Sequence, residues 1–333
     1  MYFLNRILIF LFFTFLCLHI KAQDIHWSQF NDNQLFQNPG NTGHFDGDYR
    51  FIGNYRDQWR SVTVPFSTIS GSVDAKWKNL GYGLLFFHDV AGDGKFRTLE
   101  TQFNVSNLFQ ITSDSMNLLR LGVNFGLNHR QITWSNLYFD NQYNGYVFDP
   151  SAPTFENYQS DKKTNFSIGL GAVYEWRKND RFSVISGFSA FNLNQPNQGF
   201  YTSEIKRDVR YNVFSKGIFK INREWDIIPS TQISFQGVYR EQILGASAKY
   251  YLNPKATEYC ALYGGLWFRN KDAAYISLGI DYKQLFVGLS YDINVSKLVP
   301  ASNLRGGFEI AIRYIIHAFK PKKIIHRVCP DFI

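Results

Sequence analysis

Few residues in this chain have the types and spacings that chemistry requires. Beyond residue 23 the histidines are His26, His44, His88, His129, His317 and His326, and no two stand at metal-ligand spacing. No GxSxG, HExxH or P-loop motif occurs. A hydrolase site built from neighbouring strands would start from His129 with Ser135 beyond it, yet nothing marks a nucleophile or an orienting acid. The stretch His88–Lys95, HDVAGDGK, offers Asp89 and Asp93 to a calcium ion but lacks the further oxygen donors of an EF-hand loop. It reads as a glycine-rich hairpin loop. Paired carboxylates for glycoside chemistry are not identifiable. Arg50, Arg56 and Arg60 alternate with Tyr49, Phe51, Tyr55 and Trp59. They either line a wet surface that favours anions or form ion pairs with adjacent strands. Cys260 and Cys329 lie far apart with no CxxC, so neither a disulfide framework nor a zinc site is expected. The expectation is a protein that is not an enzyme, with no catalytic residue, no metal and no cofactor.

The elements around these residues are strands. Residues 1–23 read as a secretory signal peptide, with Arg6 as the positive region, Ile7–Leu18 as the apolar core and Ala22 as the small residue for cleavage. Cys17 lies inside the apolar run without small neighbours, which argues against a lipoprotein. No later run reaches the ~18 apolar residues of a membrane-spanning helix. The mature net charge is about +6, and the basic residues are scattered outside one C-terminal cluster, so no nucleic-acid partner is expected. From Tyr49 onward, apolar and polar residues alternate with period two. In Leu119–Arg130, LRLGVNFGLNHR, Leu119, Leu121, Val123, Phe125 and Leu127 share one face; Arg120, Gly122, Asn124, Gly126 and Asn128 share the other. A helix would scatter these side chains, whereas a strand separates them. The same alternation recurs at 165–176, 276–282 and 287–293.

Counting such segments gives about fourteen strands, each near the ~10-residue length of a membrane strand. Connections sort by parity. If both ends lie on the periplasmic side, the even connections are short, and the odd ones include the long loops at 132–164, 193–206 and 295–304. A soluble sandwich has no reason to sort loops this way. The predicted fold is therefore all-β: a transmembrane outer-membrane β-barrel of antiparallel strands, integral to the cell outer membrane and in contact with its lipid. The divisions are a signal peptide (1–23), a periplasmic lead-in (24–48) that folds towards the periplasmic mouth, the barrel (49–319) and a basic periplasmic tail (320–333). A barrel of this size encloses more room than its small inward side chains fill, so the lumen is a polar cavity, a plugged channel or a docking site. Aliphatic residues should face lipid mid-strand, with aromatics towards strand ends.

Asn38, Pro39 and Gly43 form a compact turn; Arg50, Tyr55, Arg56, Gln58 and Trp59 follow on the first strand, and Asp74 ends the second. Near the C-terminus stand Cys329, Pro330 and Phe332. This pattern resembles the PorP/SprF family of the type IX secretion system, with Gly40 where the family usually has alanine. The resemblance implies a secretion accessory barrel that helps to secrete or anchor a large surface adhesin of the gliding-motility type, by binding its C-terminal sorting domain. It also implies periplasmic ring or peptidoglycan-binding components as partners. The alternatives are a FadL-like or porin-like small-molecule transporter and an outer-membrane hydrolase.

Overall fold

The computed structural model describes residues 24–58, 66–92, 94–156, 160–201, 204–252, 259–296, 299–302 and 304–318. The signal segment 1–23, Trp59 and Arg60, Asp93 and the tail from 319 with His326, Cys329, Pro330 and Phe332 lie outside the described residues. Fourteen strands run in chain order: β1 (Tyr49–Gln58), β2 (Phe66–Trp77), β3 (Leu80–Ala91), β4 (Phe96–Gln110), β5 (Asn117–Gln131), β6 (Lys162–Asn179) and β7 (Phe182–Phe191). The second half comprises β8 (Arg210–Lys220), β9 (Trp225–Gln236), β10 (Tyr239–Tyr251), β11 (Cys260–Arg269), β12 (Ala273–Tyr282), β13 (Leu285–Asn294) and β14 (Arg305–Ile316). Each strand pairs antiparallel with its sequence neighbours, and β1 closes on β14, from Tyr49 opposite Ile316 to Asp57 opposite Phe308. Closure leaves no unpaired sheet edge, the condition for placing strands in hydrocarbon.

The period-two alternation survives intact. On β5, Gly122, Asn124, Gly126 and Asn128 are buried towards the lumen while Leu121, Phe125 and Leu127 face outward. Trp77, Trp176, Trp225, Tyr282 and Tyr314 stand exposed at the strand ends nearest the short connections, where amphipathic rings suit the membrane interface. Aromatics are not confined to strand ends, however: Phe86, Phe103 and Phe125 face outward at mid-strand. Phenylalanine has no polar tip to keep at the interface, so the hydrocarbon zone accepts it.

β6 extends to both sides of the alternation at 165–176. Arg207, three residues before β8, turns its side chain inward to two carboxylates.

The principal correction concerns residues 24–48. They are not a lead-in at the periplasmic mouth; they thread the whole lumen. At the end with the long connections, Arg207 NH2 lies 2.8 Å from Asp24 Oδ1, and Asn192 reaches the same carboxylate. At the opposite end, His44 Nε2 lies 2.9 Å from Glu175 Oε2, and Lys76 donates to Phe45 O at 2.9 Å. Between them the chain makes a 3-10 turn at Phe30–Asp32, the short helix α1 (Gln34–Gln37) and a second 3-10 turn at Pro39–Asn41. Two small apolar clusters seat it: Trp27, Leu35 and Phe36 against Leu85 and Phe87, and Phe30 against Ile243, Trp267 and Tyr275.

Candidate functional site

The plug is held in the lumen by two sets of contacts, and the signature residues divide between them. The lower set is built on the turn from Asn38 to Gly43. Pro39 opens the 3-10 turn, a position where its missing N–H costs nothing. Asn38 caps that turn by accepting from Gly40 N at 2.8 Å, while its amide donates to Ala172 O and Phe188 O of the wall. The backbone can come this close only because the wall residues there lack side chains. A Cβ on Gly171 would stand 2.1 Å from Asn38 Oδ1, and one on Gly122 would stand 2.4 Å from the Pro39 carbonyl carbon. Gly43 has φ +69, a left-handed conformation that favours glycine. Its N–H donates to Asp74 Oδ2 at 2.7 Å. Arg50 completes the set, forking onto Asp74 from Nε at 2.9 Å and NH2 at 2.7 Å while NH2 also donates to Asn41 O and NH1 to Gln34 Oε1. Bidentate guanidinium–carboxylate geometry of this kind fixes orientation as well as charge.

The upper set is a charge cluster around Ser28. Arg56 NH1 donates to Glu309 Oε2 at 2.7 Å and to Ser28 Oγ, and NH2 donates to Asp292 Oδ2 at 2.9 Å. Arg269 reaches Asp292 at 3.1 Å, Asp272 at 2.8 Å and Glu241 at 3.7 Å. Glu309 also accepts from Ser28 N and Gln29 N, so the plug backbone is tied to the same carboxylate as Arg56. Gln58 sits beside this cluster, its amide oxygen turned to Arg56 Nε at 3.2 Å. Tyr55 lies on the outward face of β1 with its hydroxyl 3.3 Å from Asp57. Both described arginines of the first strand therefore face the lumen, and both are consumed in ion pairs with neighbouring strands.

Sequence reasoning missed the outermost latch. Asp24 meets Arg207, which also holds Glu100 at 2.9 Å. Burial opposes ionisation of Asp24, but Arg207, Arg210 and Arg130 outweigh it and hold the carboxyl down at about 2. The other plug titrants respond to burial. His26 is pushed well below the usual histidine range by burial and by Arg56 and Arg269. His44 is lowered as well, burial outweighing its hydrogen bond to Glu175. A signal did exist for these partners: Glu100 and Asp292 are single acids on otherwise uncharged inward faces, and Glu309 shares its inward face with Arg313.

Among the described residues the candidates for chemistry do not come together. His129 faces outward and bonds Thr164 through Nδ1 at 2.8 Å rather than meeting Ser135. Asp89 accepts from Thr68 at 2.6 Å. No cluster of three metal-ligating side chains occurs among the described residues. Two larger cavities flank the plug. The one towards the long connections, about 240 Å³, is lined by Asp24, His26, Gln58, Phe66 and Arg130; the one towards the short connections, about 540 Å³, by Gln34, His44, Arg120, Glu175 and Lys216.

In fold, the chain is similar to the toluene transporter TbuX of Ralstonia pickettii, with a TM-score of 0.54 at 10% identity over 86% of this chain and 94% of that one. It is similar also to the Pseudomonas putida toluene transporter TodX, with a TM-score of 0.51 at 10% identity over 88% and 95%. At such identities the likeness is one of architecture. No curated protein matches in sequence. The family model for the type IX secretion system membrane protein PorP/SprF matches residues 19–314. The chain belongs to the PorP/SprF family of type IX secretion system membrane proteins, as an integral barrel of the outer membrane.

Proposed function

We propose that this barrel is a non-enzymatic secretion accessory that engages the C-terminal sorting domain of a cognate surface adhesin through its outer loops. The observation that carries this reading is the filled lumen. With residues 24–48 latched at both ends, the surface left for a large partner is the set of long connections. The longest, residues 132–161, holds Tyr138, Tyr146 and Phe155 at 77%, 92% and 80% exposure. Large aromatic side chains held in water beyond the bilayer are suited to burial against a protein partner. Deleting the gene should trap one or a few adhesins inside the cell while general secretion continues. Normal display of all such cargo would end this reading.

A second reading, passage of small apolar molecules, draws on the architecture shared with the toluene transporters and on the two cavities flanking the plug. Single-channel conductance and liposome swelling separate the two. A closed barrel supports docking, and a robust pore supports transport.

A further inference from the structure

The periplasmic end of the lumen carries charge that plug fixation does not use. Beside the Asn38–Gly43 turn the wall stands away from the plug and leaves the cavity of about 540 Å³. Register sets its chemistry. Leu118, Glu175, Ile185 and Lys216 are successive partners across β5, β6, β7 and β8, and all project inward. Arg120 stands two residues beyond Leu118 on the same face. Glu175 is already engaged, accepting from His44 Nε2 at 2.9 Å and from Arg177 Nε at 2.6 Å. Lys76 is spent on Phe45 O. The acids whose fields act on Arg120 are Glu175 and Asp74, each held by a closer cation, and the acid whose field acts on Lys216 is Asp32, held by Arg313 at 2.9 Å. Arg120 and Lys216 thus make no hydrogen bond or ion pair with another described residue, and Arg120 NH1 is shut off from solvent without an acceptor. An orphaned, desolvated guanidinium N–H is costly unless something completes it.

We infer that this vestibule binds an acidic, amphipathic peptide segment presented from the periplasm, with one acidic side chain set against the Arg120 guanidinium and another against the Lys216 ammonium. The guanidinium fork matches a carboxylate bidentately, and the ammonium adds a second positive charge. Phe45, Leu108, Leu118 and Phe214 supply apolar lining next to that pair, which suits a ligand whose acidic residue has an apolar neighbour. The volume lies in the range of sites that enclose a drug-sized group or a few residues of chain. A lipid headgroup is the poorer match: the wall is closed by β1 on β14, so the bilayer has no lateral entrance to the lumen. This inference concerns the end of the barrel opposite the outer loops and stands without the adhesin reading.

The test uses the purified full chain in detergent micelles and a fluorescein-labelled hexapeptide of alternating glutamate and phenylalanine, read by anisotropy. Saturable binding is expected. Arg120→Gln and Lys216→Gln should each weaken it about tenfold, and the double replacement about a hundredfold. The melting midpoint should hold, since neither cation loses a partner. Arg120→Lys should recover part of the affinity. A peptide with lysine for glutamate should not bind. If Arg120→Gln fails to assemble, Lys216→Gln alone carries the test. Absence of saturable binding, equal affinity in the Lys216→Gln or double variant, or tighter binding of inorganic phosphate than of the peptide at equal ionic strength would overturn the inference.

Discussion

Replacing Arg56 with alanine should release the plug without opening the wall. Arg56 is 2% exposed, and its two carboxylate partners, Glu309 and Asp292, are 1% and 4% exposed. The substitution does not treat them equally. Asp292 keeps Arg269 at 3.1 Å and the Ser28 hydroxyl. Glu309 keeps only the N–H groups of Ser28 and Gln29, with no other cation within ion-pair distance among the described residues. Breaking a buried pair by removing one partner costs about 3–5 kcal/mol. The remaining neighbours of Asp292 place this case near the middle, at about 4 kcal/mol. That free energy should appear as local opening of the plug rather than as global unfolding. Hydrogen exchange at Ser28 and Gln29 should then speed by about a thousandfold, while the amides of β3–β7 keep their protection. Arg56→Met with Glu309→Gln should recover part of the loss, since no charge is left unpaired and the amide oxygen still offers an acceptor to the plug N–H groups. Unchanged exchange at Ser28 and Gln29 in Arg56→Ala, or equal acceleration throughout the barrel, would refute the assignment of Arg56 as a plug latch.

Acidification should loosen the plug in two stages. His26 faces Arg56, Arg269 and Glu241, and His44 faces Glu175, Arg50 and Arg120; both are held neutral in the fold, with pKa values below the usual histidine range. The unfolded state therefore binds more protons, so stability is full above about pH 6.5 and falls as pH drops below it. Asp24, held down at about 2, adds about 2 kcal/mol that is present above about pH 4 and lost as pH falls towards 2; fluorescence melts across pH check both stages. Leu170→Arg, on the lipid face opposite Val123, should cost about 2–4 kcal/mol if it lies near the midplane, read by denaturant titration in vesicles. Gly171→Leu should displace the Asn38 turn, because even its Cβ collides with the Asn38 amide. Proteolysis of residues 24–48 should rise while the barrel remains closed.

The wall was legible because period-two alternation is a property of each strand alone. The lipid sorts Leu121, Phe125 and Leu127 outward whatever the partner strand. The hairpin connections made the pairing equally readable. The plug was not legible for the opposite reason. Residues 24–48 meet wall in changing directions along their path, so no face is consistently wet and no period appears. Trp27 and Leu35 bury beside Asn33, Asn38 and Thr42. The signature residues could be located but not assigned. Asn38, Gly43, Arg50 and Asp74 prove to be one unit only because β1 pairs with β2 in a register that sets Arg50 opposite Asp74. The partners of Arg56 lie more than two hundred residues away, on strands brought beside β1 by barrel closure, and no local pattern encodes closure.

A barrel with a filled lumen should hold its cargo at the outer loops. The direct measurement is crosslinking of the tagged protein in intact cells, followed by capture and mass spectrometry, for the native chain and for Tyr146→Ser with Phe155→Ser. A very large adhesin should be captured with the native chain, and the double loop variant should capture far less at equal barrel abundance. Recovery of no adhesin with the native chain, or equal recovery with the loop variant, would contradict it.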